Sequence, residues 1–389
     1  MRVSPAIKGL QIRNLFSFGD EGQPIELGPL NILIGPNASG KSNFIAVLGL
    51  LKELPRDFAD GITRAGGISE CLFKGHPGTT AAVTVIANLR KLKRTVRYEV
   101  GFGKKGKTTL EIVNESLEAE GEPPRKGFFA TKNGVRVLLA RDGRESLLEE
   151  EDEDSGQSVL SRLQDSKNYP EITSLGRLFR SFRLYPDWEF GQSSHVRDSF
   201  QSEAKNDYLE EDISNLGLML NRFRSDPKVN RELLKHLKAF YEDAEDIHTP
   251  ILSGLVDIRV QERGEIDIPA IRLSDGTLRW LALLVILLHP TPPPLICLEE
   301  PELGLHPDAI RTLGELLAEA SQRTQLIVTT HSDSLVDQFT LSPEAVVVCE
   351  KHAGSTVLKR LNGKQLTSWL KRYTLGQLWR TGEIGGNRW

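Results

Sequence analysis

One eight-residue stretch constrains the fold of this 389-residue chain more than any other feature. Gly35-Pro-Asn-Ala-Ser-Gly-Lys-Ser42 matches the pattern G-x-x-x-x-G-K-[ST]. It follows the apolar run 30–34, which predicts a strand buried on both faces. A helical pattern then runs from Lys41 to about Leu54. A strand, a glycine-rich turn and a helix in this order predict an α/β fold with a phosphate-binding loop (P-loop) between sheet and helix.

The residue types in this loop suit a phosphate group. Glycines allow backbone N–H groups to curve around an anion, and the partial positive charge at the start of the next helix adds to the attraction. Lys41 brings a cation to the outer phosphates, and the Ser42 hydroxyl is offered to Mg²⁺. The predicted phosphate-binding residues are Gly35, Pro36, Asn37, Ala38, Ser39, Gly40, Lys41, Ser42 and Asn43.

A second group of candidate residues follows a short apolar strand, Leu295 to Leu298. The strand ends at Glu299 and Glu300, which precede Pro301. Phosphoryl transfer requires one acidic group that holds Mg²⁺ and another that positions the attacking water. Because successive side chains on a strand point to opposite sides, adjacent residues can divide these two tasks. Without a P-loop in the same chain, the simplest interpretation would be a solvated strand end.

Two further polar positions stand next to apolar elements. His331 follows the buried strand pattern 325–329, where it either senses a terminal phosphate or has a structural role. Ser274 and Gly276 lie in a loop that opens a strongly apolar helix, and the simplest role of Ser274 is that of an N-cap. Strands and helices alternate through this part of the chain, which predicts a parallel sheet flanked by helices.

The remaining segments differ in character. Residues 81–140 contain β-rich pieces between turn signals, which predicts an antiparallel meander. Residues 155–250 carry apolar residues at helical spacing and are predicted to be mostly helical. The acidic run 149–154 fits a solvated loop. We predict three domains: 1–145 with the P-loop and meander, a helical insert at 146–250, and 251–389 with the carboxylates and His331.

Composition excludes several classes of protein. The net charge of −4 argues against binding to DNA or membrane by bulk charge alone. Cys71, Cys297 and Cys349 are too few and too scattered for a disulfide framework and fit a reducing cytosol. The longest apolar run is far shorter than the roughly 20 residues of a membrane span, and the N-terminus lacks the apolar segment of a signal peptide. We therefore expect a cytoplasmic protein with no membrane role of its own.

Together these motifs resemble the heads of ABC-type ATPases, in particular the SMC/RecF/OLD-like branch. The start IRNLFSFGDEGQPIELGPLNILIGPNASGKSN is similar to that branch's N-terminus, and LSDGTLRWLALLVILL is similar to its signature motif and helix. LEEPELGLHP resembles its Walker B motif and D-loop, and IVTTHSDSLVD its switch histidine. Within the branch, the chain most resembles compact bacterial ATPases of defence-associated operons, which lack the long coiled coil. The resemblance covers about 1–55 and 250–350 well.

The resemblance implies an α/β fold, the ABC-ATPase head of P-loop NTPases, with a mixed sheet, an antiparallel β subdomain and a helical insert. It also implies ATP and Mg²⁺ as cofactors and an ATPase activity that yields ADP and phosphate. Lys41 would bind phosphate, while Ser42 and Glu299 would serve Mg²⁺. Glu300 would polarise the attacking water, and His331 would contact the γ-phosphate.

The same resemblance implies a homodimer. Ser274 and Gly276 would reach the ATP of a second protomer. Two departures, Glu299 in place of the usual Asp and SDGT in place of SGGQ, both occur in the OLD-like branch. Arg13 and Phe16 are candidates for adenine contacts, and the Q-loop glutamine is not assigned.

Four functions compete at this stage. The first is an ATPase that dimerises around ATP and controls a partner effector, such as a nuclease, in bacterial defence. The second is a RecF-like repair ATPase that binds DNA through two basic stretches of the meander. The third is the ATPase subunit of a transporter, which SDGT and EEPE disfavour, and the fourth is a scaffold with little turnover. The basic residues are Arg90, Lys91, Lys93, Arg94 and Arg97 in one stretch and Lys104, Lys105 and Lys107 in the other.

The effector is expected in a separate chain. OLD-type nucleases carry a Toprim domain after the head, and the segment 332–389 is expected to be too short for one. The docking surface would be the helical insert, the acidic run or the C-terminal tail. The tail holds Trp369, Trp379 and Trp389, which either form an interface or pack the tail onto the head.

Overall fold

A computed structural model describes the chain except for residues 1–2, 76–77, 79, 107–108, 122–126, 133–134, 140–144, 149–155, 192–193, 199, 204 and 387–389. The acidic run, Lys107 and Trp389 therefore lie outside the described residues. The fold divides into two compact units. The P-loop unit comprises Ser4–Phe182, Ser342–Tyr373 and Leu378–Trp389, and the carboxylate unit comprises Met1–Val3, Arg183–Leu341 and Thr374–Gln377. Domain boundaries at 145 and 250 stay a prediction, because compactness does not measure which segments fold independently.

The described part of the chain forms the following strands and helices. The strands are β1 (Ile7–Arg13), β2 (Ile25–Glu26), β3 (Leu30–Ile34), β4 (Thr80–Leu89), β5 (Arg94–Lys105), β6 (Thr109–Ala119), β7 (Gly127–Lys132), β8 (Val135–Leu139), β9 (Glu145–Leu148), β10 (Arg183–Tyr185), β11 (Phe200–Gln201), β12 (Ala244–His248), β13 (Ile251–Leu252), β14 (Leu255–Val256), β15 (Arg259–Glu262), β16 (Ile266–Pro269), β17 (Leu295–Glu299), β18 (Gln325–Thr329), β19 (Val346–His352) and β20 (Ser355–Arg360). The helices are α1 (Lys41–Glu53), α2 (Phe58–Arg64), α3 (Ile68–Cys71), α4 (Val159–Arg162), α5 (Pro170–Arg180), α6 (Leu216–Arg224), α7 (Pro227–Phe240), α8 (Asp275–Leu287), α9 (Pro307–Ala320), α10 (Asp333–Asp337), α11 (Gly363–Leu366) and α12 (Leu375–Thr381).

The P-loop unit contains an antiparallel sheet in the order β2-β1-β4-β5-β6-β7-β8-β9. The predicted meander over 81–140 is confirmed by β4 to β8. Burial alternates along β5, where Val96, Tyr98 and Val100 face the core and their neighbours are half-buried. This period of two is what a sheet with one packed face requires.

The P-loop follows β3, a strand of a mixed sheet in the same unit. All five residues of β3 are buried, as predicted for a strand covered on both faces. β3 pairs in parallel with β19, which pairs in antiparallel fashion with β20. Asn31 is a polar residue within this run, and its side chain is satisfied by the Gly28 backbone and by Arg360. The strand therefore carries no uncompensated polar side chain into the core.

The carboxylate unit is built on three parallel strands, β10, β17 and β18. The strands β17 and β18 and the helices α8 and α9 confirm the predicted alternation of strand and helix. Every residue of α8 from Leu278 to Leu287 except Arg279 is buried, since the helix packs against α6, α7 and α9. Within this core, Trp280 stacks on Phe240 at a centroid distance of 5.2 Å and donates from Nε1 to the His236 carbonyl oxygen.

The segment 155–250 is less uniform than its periodicity predicts. The helices α4 to α7 lie where helical spacing placed them, but β10, β11 and β12 also fall in this segment. These strands have two to five residues, too few for an alternating pattern, and each pairs with a partner outside the segment. These strands form because they pair with residues that are distant along the chain. The local pattern of apolar residues carries no signal for such pairing.

Candidate functional site

The backbone of the P-loop takes conformations that require glycine at both ends. Gly35 has a φ of 151°, and a Cβ there would lie 2.3 Å from the Cys349 carbonyl oxygen. Gly40 has a φ of 108°, and its Cβ would lie 2.2 Å from Thr356 Oγ1. Ala38 between them has a φ of 63°, in the left-handed region. The loop therefore curves tightly, and any side chain at the two glycines would collide with neighbouring residues.

Lys41 and Ser39 place polar atoms inside this curve. The Lys41 side chain is buried, and its Nζ donates to the carbonyl oxygens of Gly35 (2.8 Å) and Pro36 (3.1 Å). Ser39 is 2% exposed, and its Oγ has no hydrogen-bond partner among the described residues. A buried hydroxyl without a partner costs free energy unless another polar group meets it, so Ser39 marks the loop as a place where a polar ligand fits.

The helix after the loop supplies further donors. Gly40 is the N-cap of α1 and provides no capping side chain, and the first turn carries no acidic residue that would repel an anion. Ser42 in this turn is exposed and Asn43 is half-buried. The first backbone N–H groups of a helix lack intrahelical partners, and its partial positive charge favours an anion. Lys41, the Ser39 hydroxyl and this helix start together suit a phosphate group.

The acidic candidates lie at the carboxyl end of the parallel strands. Glu299 pairs in register with Thr329, so residues that follow β17 and β18 emerge at the same edge. Glu300 has a φ of 44°, which is unusual for a residue other than glycine. Its N–H donates to the Thr329 carbonyl oxygen at 3.0 Å. Such a conformation costs about 1–3 kcal/mol and persists where surrounding contacts hold it.

Two side chains that sequence reasoning missed provide these contacts. Trp188 Nε1 donates to the Glu299 carbonyl oxygen at 2.7 Å, and Arg279 donates to the Glu300 carbonyl oxygen at 3.3 Å. The Arg279 guanidinium also lies 5.4 Å from the ring centroids of both Trp188 and Phe190. Attraction between the positive guanidinium and the faces of the two aromatic rings orients the Arg279 side chain. Both backbone carbonyls of the acidic pair are therefore held by side chains from other parts of the carboxylate unit.

His331 lies beside the acidic pair. Its Nε2 is 3.4 Å from Glu300 Oε1, and both side chains are about a third exposed. Its backbone N–H donates to Glu302 Oε1 at 3.1 Å. The carboxylate unit thus places Glu299, Glu300 and His331 at the same edge of its parallel strands.

Ser274 has the N-cap role that its position indicated. Its Oγ accepts from the Thr277 N–H at 3.0 Å at the start of α8. Gly276 packs closely, since a Cβ there would lie 2.7 Å from the Gly304 carbonyl oxygen. Ser274 itself is exposed, so its cap bond leaves it on the surface.

The structure separates the two basic stretches of the meander. The first begins at the β4–β5 turn and continues to Arg97 on β5, whereas Lys104 and Lys105 end the same strand. The seven residues from Arg97 to Lys104 span about 23 Å at 3.3 Å per residue. Successive turns of a meander fall at opposite ends of its strands. Within the first stretch, Arg94 is 2.5 Å from Glu171 and Arg97 is 3.9 Å from Glu118.

The remaining candidates are more peripheral. Arg13 is 3.7 Å from Glu99, and Phe16 is half-buried with a φ of 52°. In the tail, Trp379 is buried and donates to the Gly386 carbonyl oxygen, whereas Trp369 is 41% exposed. The tail therefore packs one tryptophan and exposes another.

Among the described residues, no group of three or more His, Cys, Asp and Glu side chains is arranged to hold a metal ion. None of the helices in the described part of the chain is long and apolar enough to cross a membrane.

Solved structures with the same fold include Smc heads. An Smc head bound to the C-winged helix domain of ScpA is 16% identical, with 93% of this chain and 99% of that chain covered and a TM-score of 0.56. A Pyrococcus furiosus Smc head with an extended coiled coil, bound to the C-terminal domain of ScpA, is 15% identical, covering 94% and 99%, with a TM-score of 0.54. A Pyrococcus yayanosii Smc head with a coiled coil and joint is 13% identical, covering 94% and 99%, with a TM-score of 0.51. At this identity they show the fold, which confirms the predicted ABC-ATPase head.

The family is identified by a sequence profile. The profile described as "AAA domain, putative AbiEii toxin, Type IV TA system" matches residues 30–337. No curated protein matches the chain significantly. The matched span includes the P-loop, the acidic pair and His331. The chain therefore belongs to this AAA-domain family and is a P-loop ATPase with the fold of an Smc head.

Proposed function

We propose that the chain binds ATP with Mg²⁺ and hydrolyses it to ADP and phosphate. The single observation that carries the proposal is the geometry of the P-loop. Its two glycines leave no room for a Cβ, and Lys41 and the Ser39 hydroxyl are buried inside the curve. A nucleotide phosphate would bring negative charge next to the Lys41 ammonium and an acceptor oxygen to the Ser39 hydroxyl.

Each polar residue then has one task. Lys41 and the loop N–H groups bind and orient the outer phosphates. The Ser42 hydroxyl and the Glu299 carboxylate are oxygen ligands of the kind Mg²⁺ prefers, and the ion would neutralise phosphate charge. Glu300, whose Oε1 lies 3.4 Å from His331 Nε2, positions and polarises the attacking water. His331, beside Glu300, contacts the γ-phosphate.

Binding is tested by calorimetric titration with a non-hydrolysable ATP analogue. We expect Lys41→Ala to weaken binding by about 100-fold or more, because the loop loses its only cationic side chain at the phosphates. Lys74→Ala is the matched control, since Lys74 is an exposed lysine of the same unit paired with Glu70. Equal affinity of the two variants would overturn the assignment of the P-loop.

We further propose that two copies close around two ATP molecules as a C2 homodimer. Ser274 and Gly276 of one protomer would then reach the nucleotide of the other. The exposure of Ser274 at the start of α8 supports this arrangement. A two-fold arrangement uses the same surface on both copies, so one chain provides both halves of the interface.

We propose that this ATPase cycle controls an effector protein, such as a nuclease, that acts in bacterial defence. The protein would work in the cytoplasm. Two observations support the idea. The family description refers to a toxin–antitoxin system, and the Smc heads of similar fold are bound to ScpA domains. Trp369 and Tyr373 are both exposed, and their ring centroids lie 6.1 Å apart. Together they offer an aromatic contact for a partner.

A pull-down from the native host, with and without ATP, tests the effector proposal. We expect a partner whose recovery changes with ATP and falls with Trp369→Ala, but not with Tyr241→Ala, an aromatic position outside the tail. Recovery of DNA alone would favour the RecF-like alternative. Recovery of a membrane protein would favour a transporter subunit.

The DNA-binding alternative rests on the basic residues at the β4–β5 turn. Lys93 occupies the turn itself, with a φ of 50°. The basic residues near it form one local patch. A gel-shift series with purified protein distinguishes the two functions. Tight, ATP-dependent and salt-sensitive DNA binding that is lost on Lys93/Arg94/Arg97→Glu would contradict the effector proposal.

A further inference from the structure

Glu302 is a buried carboxylate that no role in the proposed reaction explains. It lies two residues after Glu300 and is only 8% exposed. Its Oε1 accepts from Thr330 Oγ1 at 2.5 Å and from the His331 N–H at 3.1 Å. Its Oε2 is buried and has no hydrogen-bond partner among the described residues. The carboxylate is thus directed at the loop after β18.

The contacts of Glu302 restrain the loop that carries His331. Thr330 is fully buried, and its Oγ1 also accepts from the Ser332 N–H at 2.9 Å. Ser332 in turn is the N-cap of α10. Thr330, His331 and Ser332 are therefore tied, directly or through one hydroxyl, to a single carboxylate oxygen. The imidazole of His331 is left to face Glu300.

We propose that Glu302 is a positioning residue that sets the orientation of His331 for ATP hydrolysis. This inference rests on the proposed function, since it assumes that His331 acts in that reaction. The carboxylate aligns the backbone of the His331 loop from one side, and the imidazole then lies beside Glu300 on the other. Burial of a carboxyl group is costly, and a group that served only to fill space would be apolar.

The acceptor, and not the charge, is the feature that matters. Burial raises the pKa of the Glu302 carboxyl. A glutamine keeps a carbonyl-type oxygen at the position of Oε1 and can accept from the same two donors. Glu302→Gln should therefore preserve the loop, whereas Glu302→Ala leaves the Thr330 hydroxyl and the His331 N–H without their acceptor.

Hydrogen exchange of residues 329–334 tests the structural part. We expect exchange at this segment to be about tenfold faster in Glu302→Ala than in wild type, and near wild type in Glu302→Gln. Unchanged exchange in Glu302→Ala would overturn the inference, whatever the ATPase rate. Thr330→Val, which removes the hydroxyl but keeps the shape, is expected to speed exchange as well and serves if Glu302→Ala does not fold.

A double-mutant cycle tests the functional part. We expect Glu302→Ala to lower kcat by about tenfold with KM for ATP nearly unchanged, and to have no further effect in a His331→Ala background. Glu319→Ala, an exposed position on α9, is the control. Additive losses would show that Glu302 does not act through His331. If the protein shows no ATP hydrolysis that is lost on Glu300→Gln, the proposed function is refuted. The hydrogen-exchange result then decides the structural inference about Glu302 by itself.

Discussion

Among its described residues, the P-loop unit buries one carboxyl group, that of Glu115, far along the chain from the P-loop. Glu115 on β6 is fully buried and accepts from Tyr98 Oη (2.7 Å), Ser158 Oγ (2.5 Å) and the Val159 N–H (2.9 Å). These donors belong to β5 and to the start of α4. Glu115 thus fixes the first turn of α4 onto the meander. A buried carboxyl group of this kind is tolerated because hydrogen-bond donors meet its oxygens.

Removal of this carboxylate should destabilise the unit. We expect Glu115→Ala to lower the free energy of unfolding by about 3 kcal/mol, because three buried donors lose their acceptor. Glu115→Gln, which keeps one acceptor oxygen, should cost about half as much. Urea unfolding followed by circular dichroism measures the change, with Glu111→Ala on the same strand as the control. A loss equal to that of the control would contradict the role of Glu115.

A second buried titratable residue predicts a dependence on pH. His289 Nδ1 accepts from the Thr291 N–H at 3.2 Å, so Nε2 carries the proton and donates to the Asp207 carbonyl oxygen at 2.9 Å. In the neutral ring, both nitrogens therefore have a hydrogen-bond partner. Burial lowers the pKa of His289 below its ordinary value near 6.5. Protonation is therefore easier in the unfolded chain than in the folded one.

The sign of the effect follows from linkage. Stabilisation by His289 is fully present above pH about 6.5 and is lost as the pH falls toward the lowered folded pKa. We expect the free energy of unfolding to drop between pH 7.5 and pH 5, and to drop less in His289→Gln. Part of the slope should remain, because burial also lowers the pKa of His236. An equal drop in the variant would exclude His289 as its cause.

At the scale of elements, the start of α8 is the feature with the clearest consequence. Ser274 caps the helix and is exposed, and Gly276 packs against Gly304 without room for a side chain. We expect Ser274→Arg to keep ATP binding and to block ATP-driven dimer closure, because a long cation would occupy the proposed interface. Loss of the cap itself costs only about 1 kcal/mol.

Mass photometry with a non-hydrolysable ATP analogue measures closure. Ser225→Arg is the matched control, since Ser225 is an exposed helix-end residue of the same unit. Closure of Ser274→Arg to the extent of this control would count against a dimer formed through the start of α8. A dimer without nucleotide through other surfaces is compatible with the account.

Elements with a strong local pattern were predictable from sequence. β3, α1, β17 and β18 have continuous apolar or glycine-bounded patterns, and each lies within a residue or two of its expected place. The short strands β10 to β12 were not predictable, because their pairing partners lie outside the segment. The separation of the two basic stretches was not predictable either, because it depends on where β5 begins and ends.

The site shows the same division. Lys41, Glu299, Glu300 and His331 follow strands, and strand ends are readable from sequence. Contacts between distant side chains and backbone groups are not, which is why Trp188, Arg279 and the role of Glu302 emerged only from the structure. The φ of 44° at Glu300 likewise has no sequence signal, because the groups that contact its backbone, Thr329 and Arg279, are distant along the chain.

At the scale of the whole molecule, the proposed reaction divides its tasks between residues of two compact units. The P-loop belongs to one unit, and the acidic pair with His331 belongs to the other. We propose that Lys41 binds phosphate and that Glu300 positions water. This division of tasks predicts that binding and hydrolysis can be separated by substitution.

The most direct test of this central claim compares ATP hydrolysis with ATP binding in Glu300→Gln. We expect the variant to bind ATP with wild-type affinity and to release phosphate at least about tenfold more slowly, because glutamine cannot polarise the water. Glu315→Gln, an exposed position on α9, is the control and should hydrolyse at the wild-type rate. A Glu300→Gln variant that turns over ATP as fast as wild type would contradict the account.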